Sequence, residues 1–204
     1  MVTLTDSEQL HLALEPLIVP LYETLQAAVD TVIPQCADWG IGSHDYQAAR
    51  SHLTRALWRR KLSDWQLLDG LDGWRVNPPQ PNVQLALSRD LLSLRMLRPS
   101  SGFLPSPGPN VARQVYYQNR NVDLFGCMAS QLVALWAPDT DGELRIRIVR
   151  PIGTDPESKR ADLSFVLPRA PEQFDLLEFV PQDDLGLGGL YDIPAVEDES
   201  DGSA

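Results

Sequence analysis

Three histidines and two cysteines are the only imidazole and thiol groups in the chain. His44 and His52 lie eight positions apart in a stretch that patterns as helix, so they return to roughly the same face after just over two turns. Cys36 and Asp45 stand nearby in sequence. Zinc sites carried on one helix use i, i+4 ligands, and structural zinc sites use paired C-x-x-C, and neither pattern is present. Cys36 and His44 could form a nucleophile and base only with a third group to orient the imidazole. An enzyme built around His44, Asp45 and Cys36 is therefore the weakest functional class, and no cofactor, metal or catalytic residue is expected. Cys36 and Cys127 are read as two reduced, partly buried thiols.

The glycine and aspartate motifs are read the same way. Gly40-x-Gly42 precedes a helix, but Asp45 stands where a phosphate cradle needs its third glycine. Gly186-x-Gly188-Gly189 follows no βα unit. Asp139-x-Asp141-Gly142 would need ligands at Ala137 and Ile148 to be a calcium loop, so it reads as a hairpin turn.

Charge carries more information. The chain has 17 basic and 28 acidic side chains, a net charge of −11. From Ala170 to Ala204 there are ten acids and no lysine or arginine. Subtraction leaves 28 − 10 = 18 acids against 17 bases in residues 1–169, so that stretch is almost neutral. Within the acidic segment Leu185, Leu187, Leu190, Tyr191, Ile193 and Val196 are interleaved with acids and glycines. Residues 197–204 hold too little apolar surface to order themselves and are expected to be disordered. Leu187, Leu190, Tyr191, Ile193, Glu197, Asp198, Glu199 and Asp201 are the candidate partner-binding residues. Acids would steer a basic partner, and the apolar side chains would hold it.

Two basic groups give the rival site. Arg55, Arg59, Arg60 and Lys61, with Arg50 before them, fall on one helix. Arg113, Tyr117 and Arg120, with Tyr116, fall on another. Arginine beside tyrosine can grip phosphate and stack on bases, so these are candidate nucleic-acid contacts. The net charge of −11 opposes that use. The same groups could receive the acidic segment of this or a neighbouring chain.

The elements that must position these residues follow from periodicity. Residues 6–33 place Leu10, Leu14, Leu17, Leu21, Leu25, Ala28 and Val32 on one helical stripe, with a break expected at Pro16 and Pro20. Residues 44–61 read as a second helix, capped by Ser43, with Tyr46, Ala49, Leu53, Ala56 and Leu57 inward. Ser63 caps one further turn over 63–69. Past the prolines at 78–81 the pattern becomes strand-like. Alternation around Ser88-Arg89-Asp90 predicts one hairpin, and 132–148 predicts the clearest one. Further strands are expected at 163–167 and 174–180, and a short helix at about 110–119. The expected fold is α+β: N-terminal helices, then an antiparallel sheet of about five or six strands with one short inserted helix. One domain would span 1–184, helical over residues 1–75 and strand-rich over residues 76–184, with 185–204 as an acidic segment.

No apolar run approaches the ~20 residues of a membrane span, and no secretory signal pattern opens the chain, so it reads as cytoplasmic with no membrane partner. Fifteen arginines against two lysines fit a GC-rich bacterial or phage genome. The leading expectation is a non-enzymatic interaction module, such as an antitoxin that neutralises a basic toxin encoded nearby. The alternative is a nucleic-acid-binding regulator.

Overall fold

The leucine stripe near the start of the chain folds as its spacing predicts. The computed structural model describes residues 10–41, 46–79, 84–99, 104–106, 109, 111–119, 130–138, 143–152 and 161–176. Residues 10–14 are helical, Glu15–Leu17 form a 3-10 turn, and helix α1 runs Ile18–Asp38. Leu10, Leu14, Leu17, Leu21, Leu25, Ala28 and Val32 are all buried. The break at the prolines shrinks to that single 3-10 turn. Pro16 lies inside it, and Pro20 falls in the first turn of α1, where the missing N–H has no helical acceptor to lose. The helical stretch Leu10–Asp38 is therefore long and apolar enough to cross a membrane by length and composition, unlike the sequence expectation. Half of its apolar window is buried within the protein, because its stripe is the spine of the core.

Helix α2, Gln47–Leu67, is one continuous element rather than a helix and a separate turn. Ser63 is not a cap; its hydroxyl donates to the Arg59 carbonyl at 3.0 Å, inside the helix. The inward face also differs from expectation. Ser51, Thr54, Trp58 and Leu62 are buried, whereas Tyr46 and Leu53 are exposed. Small Ser51 and Thr54 let the helix pack closely, while Trp58 inserts and donates its Nε1–H to Thr24 Oγ1 of α1 at 2.9 Å. Thr24 in turn donates to the Pro20 carbonyl. The loop after α2 relies on residues that tolerate positive φ: Asp69, Asp72 and Gly73.

Six strands follow: β1 Arg75–Val76, β2 Leu85–Arg89, β3 Leu92–Leu97, β4 Gln131–Pro138, β5 Leu144–Pro151 and β6 Ala161–Val166. They form one sheet in sequential order. The α+β class holds, with one correction: β3 and β4 are parallel, so the sheet is mixed. A parallel neighbour cannot be reached by a tight turn, and the connection over 98–130 carries helix α3, Val111–Gln118, across the sheet. The β2–β3 turn is also tighter than expected. Arg89 pairs with Leu92, so the loop is Asp90-Leu91, with Asp90 at φ 50°. β1 has no counterpart in the sequence expectation, and Pro171–Leu176 is 3-10 helix where a strand was expected to begin. Residues 177–180, the remainder of that expected strand, lie outside the described residues.

Alternation assigns the two faces of the sheet. Leu85, Leu87, Leu94, Met96, Leu132, Ala134, Trp136, Leu144, Ile146 and Ile148 face α1 and α2 in one cluster. Leu97, Val133, Leu135, Val149 and Ala161 face the other way, against Leu104, Tyr116 and Tyr117. β4 is thus buried on both faces over residues 131–136. The crossover is held by side-chain bonds. Asn119, at φ 47°, accepts from Gln131 N at 2.7 Å and donates to the Gln131 and Pro151 carbonyls at 2.9 and 2.7 Å. On the opposite face Tyr22 of α1 donates to the Leu167 carbonyl at 2.7 Å and accepts from Ile146 N at 3.2 Å.

Candidate functional site

The basic residues picked from sequence separate once folded. Arg59 and Arg60 have partners on their own side of α2: Arg59 donates to the Asn77 carbonyl at 3.0 Å, and Arg60 lies 3.5 Å from Asp64. Lys61 is half-buried on the same helix. Arg55 is different. It is half-buried, its Nε donates to the Ser51 carbonyl at 3.3 Å, and burial together with the charge of Arg113 lowers its pKa. α2 and α3, which are separate in sequence, thus bring Arg55 and Arg113 into one field. Arg113 donates to the Ser106 carbonyl at 3.2 Å.

Two further arginines, Arg95 and Arg98, come from β3 and the residue just past its end. The Arg95 guanidinium lies over the Tyr116 ring, 3.9 Å from its centroid. With its oxygen turned toward that guanidinium, the Gln84 amide accepts from Arg95 Nε at 2.8 Å. Arg98 stands over the Trp136 ring at 5.9 Å from the centroid. Burial lowers both arginine pKa values; Arg113 adds to this at Arg95, against the opposing pull of Tyr116, and Arg50 adds to it at Arg98. Arg95 thus lies on the sheet face of Tyr116, and Arg98 stands over Trp136, which belongs to the opposite face. Arg55 and Arg95 are held by a carbonyl, an amide and a ring, which orient the guanidinium groups without cancelling charge. A guanidinium held in this way can pair with carboxylate or phosphate bidentately.

The tyrosines do not serve as a stacking platform. Tyr117 is 3% exposed and donates to the Pro105 carbonyl at 2.8 Å, so its ring has no face open to a base. Burial pushes its hydroxyl up to about 12, against the pull of Arg113 and Arg95. Arg120 lies outside the described residues, as do Leu187, Leu190, Tyr191, Ile193, Glu197, Asp198, Glu199 and Asp201.

Among the described residues no group of three or more His, Cys, Asp or Glu side chains comes together that could hold a metal ion. Cys36 is buried at the end of α1. His44, Asp45 and Cys127 lie outside the described residues. Sequence reasoning misses Arg95 and Arg98 because the alternation of β3 speaks only for its apolar residues. The available signal is the recurrence of arginine at 89, 95 and 98, spaced by six and three, in a stretch otherwise rich in leucine.

Comparisons of the chain with protein-family models, with curated proteins and with solved structures each find no match.

Proposed function

We propose that the chain is a non-enzymatic protein-interaction module of the bacterial or phage cytoplasm that captures a basic protein partner through its acidic-apolar C-terminal segment. An antitoxin that neutralises a toxin encoded nearby is the kind of protein this describes. The observation that carries the reading is the division of labour along the chain. Among the described residues the buried clusters run from Leu10 to Leu167, and the ten acids of Ala170–Ala204 have no lysine or arginine among them. A charge division of this kind supports a binding role: Glu197, Asp198, Glu199 and Asp201 for long-range attraction, and Leu187, Leu190, Tyr191 and Ile193 as anchors. The test is co-purification of the adjacent gene's product with full-length chain and with chain lacking 185–204. Retention by the full-length chain alone supports the reading, and equal retention by both rejects it.

A second reading, nucleic-acid binding, draws on the arginines of α2 and α3, Arg55 and Arg113 among them. The overall charge of −11 and the burial of Tyr117 weigh against it. A gel shift with random single-stranded RNA and duplex DNA tests it, and a shift that weakens steeply with salt is its expected sign.

A further inference from the structure

We propose that the outer face of the α1–α2 helix pair is a homodimer interface, in which α1 of each copy lies on α2 of the other about a two-fold axis. The inference goes beyond the partner reading, which concerns the C-terminal segment.

The first observation is an apolar stripe that the core does not use. Tyr46, Ala49, Leu53 and Ala56 are spaced by three, four and three residues, the spacing of a helix face that packs. Yet α2 buries its opposite face, Ser51, Thr54, Trp58 and Leu62. All four stripe residues are exposed, Tyr46 at 55% and Leu53 at 37%. The small side chains of Ala49 and Ala56 leave room for another helix to approach.

The second observation is charge. Helix α1 carries Glu23, Asp30 and Asp38, and no lysine or arginine occurs in residues 1–49. Helix α2 carries five bases against one acid, Asp64. The pair therefore presents an acidic helix beside a basic one. A two-fold axis across the helices would set α1 on α1 and α2 on α2, like charge on like. An axis along the helices sets acidic α1 on basic α2 twice, and charge selects that arrangement.

The same axis fixes the register. The helices run antiparallel: Trp58 of α2 bonds Thr24 of α1, and Trp74, beyond the end of α2, bonds the Ala13 carbonyl ahead of α1. Each helix rises ~1.5 Å per residue, so Glu23 is level with Arg59 and Arg60. An axis along the helices keeps these levels between copies. Exposed Glu23 of one copy therefore meets Arg60 of the other, whose side chain is 77% exposed. The 3.5 Å contact of Arg60 with Asp64 is a surface pair, which exchanges at little cost.

The area suffices. Two helices of 21 residues, each about 31 Å long and about 10 Å wide, cover roughly 600 Å² per copy and about 1,200 Å² in the dimer. Specific stable interfaces begin at about that size.

The experiment measures the mass of the full-length chain by sedimentation equilibrium over a wide range of concentration. A reversible dimer of the 22.7 kDa chain is expected. E23K and R60E should each weaken it at least about tenfold, because the two-fold axis repeats every substitution. Mixing the E23K chain with the R60E chain should restore a heterodimer, since both contacts then pair opposite charges. L53E should prevent association alone and in mixtures. Circular dichroism checks folding, and should a reversal unfold the chain, E23Q or R60Q replaces it, with a smaller loss expected. A monomer at every concentration overturns the proposal and leaves the stripe to a different protein. A dimer that none of the variants weakens overturns it by placing the contact elsewhere, and a mixture that fails to associate overturns the register. None of these readouts involves the basic partner, so the partner reading stands or fails separately.

Discussion

Tyr116 places its hydroxyl between the carbonyls of Ser93 and Leu132, at 2.9 and 2.6 Å, while Arg95 lies over its ring at 3.9 Å. Ser93 begins the parallel register with β4. One side chain from the crossover helix therefore ties the start of the parallel pair and braces Arg95. Tyr116→Phe removes the single donor that the Ser93 and Leu132 carbonyls share and should cost about 1–3 kcal/mol of stability. Urea unfolding at neutral pH measures it. An unchanged midpoint would show that the strands pair without the hydroxyl.

The neighbouring tyrosines set an alkaline limit. Burial raises Tyr116 and pushes Tyr117 up to about 12, above the unfolded value near 10. A group whose folded pKa is raised keeps the folded state more protonated than the unfolded one, so its stabilisation is full below pH ~10 and is lost as pH rises through ~12. Two pH units at Tyr117 correspond to about 3 kcal/mol. Unfolding free energy should fall as pH rises from about 10 to about 12, and the slope should be shallower in Tyr117→Phe. Equal slopes in both proteins would remove Tyr117 as the cause.

The contact between the two long helices predicts a specific cost at Thr24. Thr24→Val keeps the shape but takes away the acceptor of the buried Trp58 Nε1–H. A loss of about 1–3 kcal/mol is expected, and about 3–5 kcal/mol for Trp58→Ala, which also opens a cavity beside Trp136. Thermal melts of the two variants check the order. A milder effect in Trp58→Ala would mean that the helices repack.

Ile146 is fully buried on β5 opposite Trp136. Ile146→Asp puts an unpaired charge between sheet and helices and should abolish cooperative unfolding. Arg145→Asp, one residue away on an exposed position, should retain the fold. Circular dichroism distinguishes the two variants, and a folded Ile146→Asp would show the face assignment to be mistaken.

Deleting 185–204 should leave the melting temperature of the body nearly unchanged, since the helices and strands between Leu10 and Leu167 already enclose two buried clusters. For a basic partner, neutralising Glu197, Asp198, Glu199 and Asp201 should slow association in a salt-dependent way. Alanine at Leu187, Leu190, Tyr191 and Ile193 should instead speed dissociation. Surface-binding kinetics at two salt concentrations separate the effects, and a uniform change in both rates would merge the two roles.

The helical stripe from Leu10 to Val32 and the alternation of Leu144, Ile146 and Ile148 were legible in sequence, because a single buried face prints its own period on the residues that fill it. The α+β class followed from those periods and their order. α2 was legible as a helix but not in its orientation. Its inward face uses Ser51, Thr54 and Trp58, and close packing against α1 selected small residues and one indole over the more apolar Tyr46 and Leu53. The parallel pairing of β3 with β4 was not legible, because it depends on how the connection over 98–130 crosses the sheet and not on any local pattern. The surroundings of the arginines were decided at the same level: Arg95 lies over the Tyr116 ring of α3 and Arg98 over the Trp136 ring of β4, contacts that no local pattern announces. Local sequence determines which face of an element is apolar; which charges become neighbours depends on contacts between residues far apart in the chain, and only the tertiary structure decides those.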